Sequence, residues 1–272
     1  MKTTAKQEHL ERLVSSGLAR RDFAKRMIAG GAAAYGVAAL GGSADLVAQQ
    51  ITDFDVLNFA LNLEYLEAEF YTVATTGQRI QDAGIGVSGK GRSGATTGGS
   101  KVALDDRTMT IAQAITQDEQ SHVRFLRAAL GTQAVAKPSI NLAALGIGFN
   151  NQTEFLTVAA IFEDVGVSAY AGAAMLIDNS KFLGAAAQIA LTEGQHAGLL
   201  RLLASDNKLN VPPVDGKAVP PLGQPNGRLF FVDANGLSPM RTASEVLNIV
   251  YAGRRDGGGF FPDRVNGVIE KP

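Results

Sequence analysis

The sequence predicts an all-α protein: an antiparallel four-helix bundle followed by an irregular C-terminal extension. Three observations lead there. Four stretches between residues 52 and 204 carry apolar residues at helical spacing, bounded by capping residues and glycines. The third and fourth are joined only by Asp178-Asn179, a connection short enough to make them antiparallel neighbours. Eight of the nine prolines fall between Pro212 and Pro272, where sustained helical periodicity stops.

Composition limits the function classes. With 272 residues, 46% hydrophobic and 19% charged, the chain can build one sizeable core with appendages. Its 25 basic and 26 acidic residues nearly cancel, so the basic footprint of a nucleic-acid binder is missing and no such partner is expected. Cysteine is absent, which excludes disulfides, thiolate zinc sites, iron-sulfur clusters and cysteine nucleophiles. Any bound metal must be held by oxygen and imidazole.

The charge is uneven: residues 1–30 carry a net +4 and the rest −5. A weakly apolar run at 27–44 follows the basic stretch, the order of an export signal. Arg20-Arg21-Asp22-Phe23-Ala24-Lys25 resembles the twin-arginine motif. That resemblance implies the Tat translocase as a partner during export and a periplasmic or other extracytoplasmic location. Residues 1–48 are therefore read as a signal peptide, cleaved after Ala44 or Ala48. Residues 49–205 form the bundle, and 206–272 a proline- and glycine-rich extension with one short helix near 242–252.

The first helix runs from 52 to about 76, opened by Thr52 and Asp55 as a capping box and stopped by Gly77. Residues 77–103 are glycine-rich and polar and read as a long surface loop, flexible at 84–91. Within it, 84–91 nearly matches a phosphate-binding loop, but Gly91 stands where serine or threonine is required. The second helix spans about 106–130 and ends at Gly131. The third starts near Asn151 or Thr153 and runs to about 177. The fourth takes Ser180 as N-cap and reaches about 204. Gly166, Gly172, Gly184, Gly194 and Gly198 are expected to allow close helix approach. The 257–262 segment reads as a tight turn bearing Phe260 and Phe261.

Each apolar stripe is interrupted at mid-length by acid. Glu64 lies on the stripe of Leu57, Leu61, Ala68 and Tyr71, since positions 64 and 71 differ by only about 20° in azimuth. Glu119 and His122 share a face with Ile111, Ile115 and Leu126. Glu163 sits on the stripe of Leu156, Ala159 and Tyr170. Glu193 and His196 lie with Ala186, Ile189, Leu200 and Leu203. An isolated buried carboxylate costs several kcal/mol or is forced to protonate. Four such groups in one core balance two divalent cations, with two neutral imidazoles completing the ligand set.

The chain also repeats itself. The first and third helices carry Glu followed seven residues later by Tyr, Glu64 with Tyr71 and Glu163 with Tyr170. The second and fourth carry Glu-x-x-His, Glu119 to His122 and Glu193 to His196. These two histidines are the only ones outside the signal region.

This order of motifs over about 52–204 resembles the ferritin-like di-iron carboxylate family. The segment Leu63-Glu64-Tyr65-Leu66-Glu67-Ala68-Glu69-Phe70-Tyr71 looks like the first helix of ferritins. More narrowly, the export signal, the glycine-rich loop and the proline-rich tail resemble the Tat-exported, desiccation-related branch. The resemblance implies a ferritin-like bundle with two iron or manganese ions on Glu64, Glu119, His122, Glu163, Glu193 and His196. Tyr71 and Tyr170 are candidates to hydrogen-bond these ligands, and Glu67, one turn from Glu64, is an additional or competing one. Glu119 and Glu163, or their counterparts Glu193 and Glu64, are candidates to bridge. The implied activity is reaction with O2 or H2O2, as a ferroxidase, a peroxidase or a manganese catalase-like enzyme. The alternative is a non-enzymatic stress, structural or metal-binding protein. The long loop and tail are unlike a cage-forming ferritin subunit, although assembly as a homo-oligomer stays open.

Overall fold

The computed structural model describes residues 51–212, 214–215, 230, 232–233 and 235–272; the signal peptide expected at 1–48 lies outside them. Five helices are present among the described residues: α1 (Asp53–Thr76), α2 (Asp106–Leu130), α3 (Gln152–Ala173), α4 (Ser180–Asp206) and the short α5 (Ala243–Val250). The fold is an all-α helical bundle with an irregular C-terminal extension.

Local chemistry sets the helix ends. Thr52 accepts from the Asp55 amide while Asp55 returns a bond to the Thr52 amide, and left-handed Gly77 (φ 80°) closes α1. Asp105 caps α2, accepting from the Thr108 amide at 2.7 Å, and Asn151 caps α3. Caps of this kind are worth about 1 kcal/mol each. α3 tightens into a 3-10 turn (Ala174–Leu176), so the α-helix stops short of the expected 177. The N-cap of α4 is Asn179, not Ser180: its side chain accepts from the Lys181 amide, and asparagine caps as well as serine does. A second capping box, Thr242 with Glu245, opens α5.

α1 packs along α2, and α3 along α4. Tyr71 on α1 reaches Glu163 on α3 while Tyr170 on α3 reaches Glu64 on α1, a pairing that only antiparallel helices in register can make. Phe70 stacks on Phe155 at 5.5 Å and meets Phe149 and Phe162 edge-on. Phe162 in turn meets Phe260 of the extension at 5.0 Å. Such pairs contribute about 0.5–1.5 kcal/mol each beyond the area they bury. The segment from Gln152 to Leu176 is apolar and long enough to cross a membrane, but it is mostly buried and is the core helix of the bundle.

α1 departs from a one-sided helix, because every residue from Val56 to Thr75 is buried. Its second face carries Asn58, Asn62, Tyr65 and Glu69, and these bind chain that wraps it. Asn58 exchanges hydrogen bonds with the Gln133 carbonyl and the Val135 amide, and Asn62 does so with both backbone groups of Asn266. Glu69 accepts from Thr96 Oγ1 at 2.7 Å and pairs with Lys137 at 3.3 Å, both charged groups being buried.

The segment after α1 is a largely exposed loop, as expected at 77–103, but it is anchored to the bundle. It buries Ile80, Ile85 and Val102, and its strand β1 (Thr96–Thr97) pairs in parallel with β2 (Ile140–Asn141). At Gly94 a side chain is sterically excluded, since a Cβ there would lie 2.1 Å from the Ser139 amide nitrogen.

The extension is pinned to α3. Buried Arg241 grips Asp215 through two bonds of 2.9 and 2.8 Å and donates to Ser168 Oγ at 2.5 Å. A Cβ at Gly172 would sit 1.9 Å from the Arg241 carbonyl oxygen. Gly172 thus admits the backbone of the extension, and Gly166 makes room for the Glu193 and Glu67 side chains, rather than for the close approach of a neighbouring helix that was expected. Gly184, Gly194 and Gly198 are exposed on α4, and among the described residues nothing lies within 4 Å of a Cβ built there. The turn at 257–259 buries Phe260 and Phe261.

Candidate metal centre

Mid-helix periodicity carries the acidic residues into the bundle interior. Glu64 from α1, Glu119 from α2, Glu163 from α3 and Glu193 from α4 are all fully buried, with His122 and His196 at 8% and 6% exposure. Their donor atoms fall into two overlapping groups, each lying within 4.8 Å. One contains Glu64, Glu119, His122 and Glu193; the other contains Glu119, Glu163, Glu193 and His196. All six residues singled out in the sequence converge here. Glu67 belongs to neither group.

Both imidazoles turn Nδ1 inward. His122 Nδ1 lies 3.3 Å from Glu64 Oε2, 3.2 Å from Glu119 Oε2 and 3.3 Å from Glu193 Oε1. His196 Nδ1 lies 3.1 Å from Glu119 Oε1 and 3.2 Å from Glu163 Oε2. One nitrogen proton cannot serve three carboxylates. Glu64 Oε2, Glu119 Oε1 and both Glu193 oxygens are buried without a hydrogen bond, and the first two and Glu193 Oε1 have only an imidazole nitrogen at 3.1–3.3 Å.

Orphaned oxygens in a dry core are what a cation would satisfy, and four carboxylates with two imidazoles fit two divalent ions of the iron, manganese or zinc type. The residues present therefore fit a dinuclear centre. Glu119 and Glu193 occur in both groups, whereas Glu64 and Glu163 occur in one each. The reason is visible in the partners of the latter two. Tyr170 donates to Glu64 Oε1, and Tyr71 donates to Glu163 Oε1 at 2.5 Å, turning each of these glutamates toward its own side.

One participant escaped the sequence reading. Asp118, next to Glu119, lies with Oδ2 3.1 Å from His196 Nε2 and orients the ring so that Nδ1 faces the cluster. The contact links α2 to α4 across 78 positions, and no local pattern marks it.

Electrostatics without metal show the same shortage of positive charge. Burial pushes Glu119 up to about 7, helped by the charge of Glu64. Glu193 is driven well above the carboxylate range by burial and by Glu119. Burial also raises Glu64, but the adjacent His122 more than reverses this and leaves it below its ordinary value. Burial disfavours both imidazolium ions, yet the surrounding carboxylates override it, raising His122 strongly and His196 to about 11. Protons occupy the places that cations would take.

Comparison with curated proteins returns no match. The family model described as a ferritin-like domain matches residues 52–206, more than half of the chain and the whole of the four helices that carry the cluster. The chain belongs to the ferritin-like domain family.

Proposed function

We propose that this is an exported ferritin-like protein whose core holds two iron or manganese ions and whose loaded centre reacts with O2 or peroxide. The observation that supports this most directly is the set of buried, unpartnered carboxylate oxygens lying between two inward-facing imidazoles. When bound, a redox-active metal pair supplies two electrons to O2 or peroxide.

The chain's own residues would prepare that reaction. Tyr71 and Tyr170 hold Glu163 and Glu64 in place by hydrogen bonds. Asp118 sets the His196 ring. Neither Glu193 oxygen makes a hydrogen bond, and its one close polar contact is His122 Nδ1 at 3.3 Å, so few protein contacts resist a change in its binding mode. Complete burial of all four glutamates excludes bulk water. In this proposal the paired Arg20 and Arg21 direct the protein through the Tat route, which exports folded and loaded proteins.

Elemental analysis with electron paramagnetic resonance on the native exported protein tests the metal centre. About two ions per chain are expected from the two donor groups. A value near zero after gentle isolation overturns the proposal. Stopped-flow mixing of the loaded protein with O2 and with H2O2 then reads the chemistry. Turnover supports metal oxidation or peroxide removal, and none at all indicates a non-enzymatic binder. Replacing Arg20 and Arg21 by lysine should retain the protein in the cytoplasm if the export reading is right.

A further inference from the structure

Beside the metal cluster lies a second, separate concavity that the proposed reaction does not use. It is a pocket of about 260 Å3 between α1, α3, α5 and the 257–262 turn. Its walls include Leu66, Phe162, Val165, Ile249 and Phe260, and exposed Ala252 and Gly253 stand at its mouth. At the inner end is Glu67, with 6% exposure. Among the described residues, no hydrogen bond or ion pair reaches its carboxylate. Gly166 borders both Glu67 and the cluster: a Cβ there would lie 3.3 Å from Glu67 Oε1 and 2.8 Å from Glu193 Oε2.

A carboxyl more than nine-tenths buried, without a partner and facing an open apolar pocket, is an unfilled recognition element. We propose that the pocket binds a small, neutral organic molecule with an apolar body and one hydroxyl, an alkylphenol or alcohol, whose hydroxyl bonds Glu67. Size supports this, since a cavity of about 150 Å3 accepts benzene and this one has room for a ring with a short alkyl tail. Charge decides the head group. An anion would meet Glu67 and the glutamates behind it, and an ammonium would have to shed its water among apolar walls. A hydroxyl both donates and accepts, so it suits Glu67 whether that group is ionised or protonated.

Calorimetric titration with 4-propylphenol, propylbenzene and 4-propylbenzoate, on metal-free and metal-loaded protein, tests the site. The phenol should bind saturably and about tenfold more tightly than propylbenzene, the ratio that one net hydrogen bond of about 1.4 kcal/mol supplies. The benzoate should be the weakest of the three. Ile249→Trp, which fills the pocket far from the metal ligands, should weaken the phenol by at least about tenfold. Glu67→Leu should abolish the preference over propylbenzene, and Glu67→Gln, which keeps a donor and an acceptor, should retain it. Circular dichroism checks the fold of each variant, and Ile249→Trp keeps the test decisive if the Glu67 variants misfold. Absence of saturable binding, equal affinity for phenol and propylbenzene, or a phenol affinity unchanged by Ile249→Trp overturns the proposal. Because binding is measured with and without metal, a negative result leaves the metal centre to be judged by its own ion count.

Discussion

Tyr71 donates its hydroxyl to Glu163 Oε1 at 2.5 Å, joining the first helix of the bundle to the third, and Tyr170 returns the same bond to Glu64. Burial and the facing carboxylates push both phenols well above the ordinary tyrosine range, so each stays a donor. The sevenfold spacing of Glu and Tyr within each helix thus becomes a reciprocal brace between helices. Partners that orient a ligand typically carry 10–100-fold in metal affinity. Tyr71→Phe should weaken chiefly the ion near Glu163 and His196, and Tyr170→Phe the ion near Glu64 and His122. Stepwise metal titration reads this, and if both variants match the parent at both steps, the brace has no role in binding.

Removing an imidazole acts on the centre more than on the fold. His122→Ala and His196→Ala each delete the nitrogen donor of one group while all four glutamates remain. Each single variant should lose one ion, and the double variant both, with helix content close to the parent by circular dichroism. Full loading of the double variant would refute the ligand assignment.

Loading should also release protons. Without metal, both histidines are protonated far above neutrality, His196 up to about 11, and Glu119 holds its proton up to about 7. Cations must displace those protons, so affinity should fall as pH is lowered, and calorimetry in buffers of different ionisation enthalpy should show net proton release. The stability consequence has a definite sign. A carboxyl raised from 4.5 to about 7 withdraws stability as pH climbs between those values, because the unfolded chain ionises first. The elevated histidine values act in the same direction but at higher pH: their contribution is full below 6.5 and is lost progressively as pH climbs above that value, for His196 up to about 11. The gap in Tm between loaded and metal-free protein should therefore widen from pH 5 to 7.5. A constant gap counts against it.

The limits of the first two helices and the six cluster residues were legible because both are local properties. Thr52 with Asp55, Gly77 and Gly131 mark ends within a few positions, and Glu64 betrays itself by sitting on an apolar stripe. The wrap was not legible. Asn62 reads as the polar side of a solvent-facing helix, and its partner Asn266 is 204 positions away. Asp118 and the Lys137–Glu69 pair are hidden for the same reason, since each contact joins segments that periodicity treats one at a time. The 77–103 glycines read only as a surface loop in sequence, whereas at Gly94 the Ser139 backbone leaves no room for a side chain.

Lys137 and Glu69 hold the wrap to α1. Lys137→Met leaves a buried carboxylate with only Thr96 and the Ile80 amide as donors, and breaking a buried pair this way costs about 3–5 kcal/mol. Adding Glu69→Gln should recover much of the loss by removing the stranded charge. Urea denaturation of the two variants checks this; a single variant as stable as the parent shows that the pair does not anchor the wrap.

Gly166 separates fold stability from site integrity. It lies inside α3, where alanine is favoured over glycine by about 1 kcal/mol. A Cβ there nevertheless meets Glu193 Oε2 at 2.8 Å, the end of a flexible side chain, with no backbone of another element among its nearest atoms. Helix α3 can accept the methyl group by displacing the glutamate, but the two donor groups share that glutamate. Gly166→Ala should therefore leave the metal-free Tm equal to the parent or slightly higher while weakening both ions by at least about tenfold, the lower end of what displaced ligand contacts cost. A variant that loads normally would mean that Glu193 binds in another rotamer, and one that unfolds without metal would mean that the glycine serves packing rather than the site.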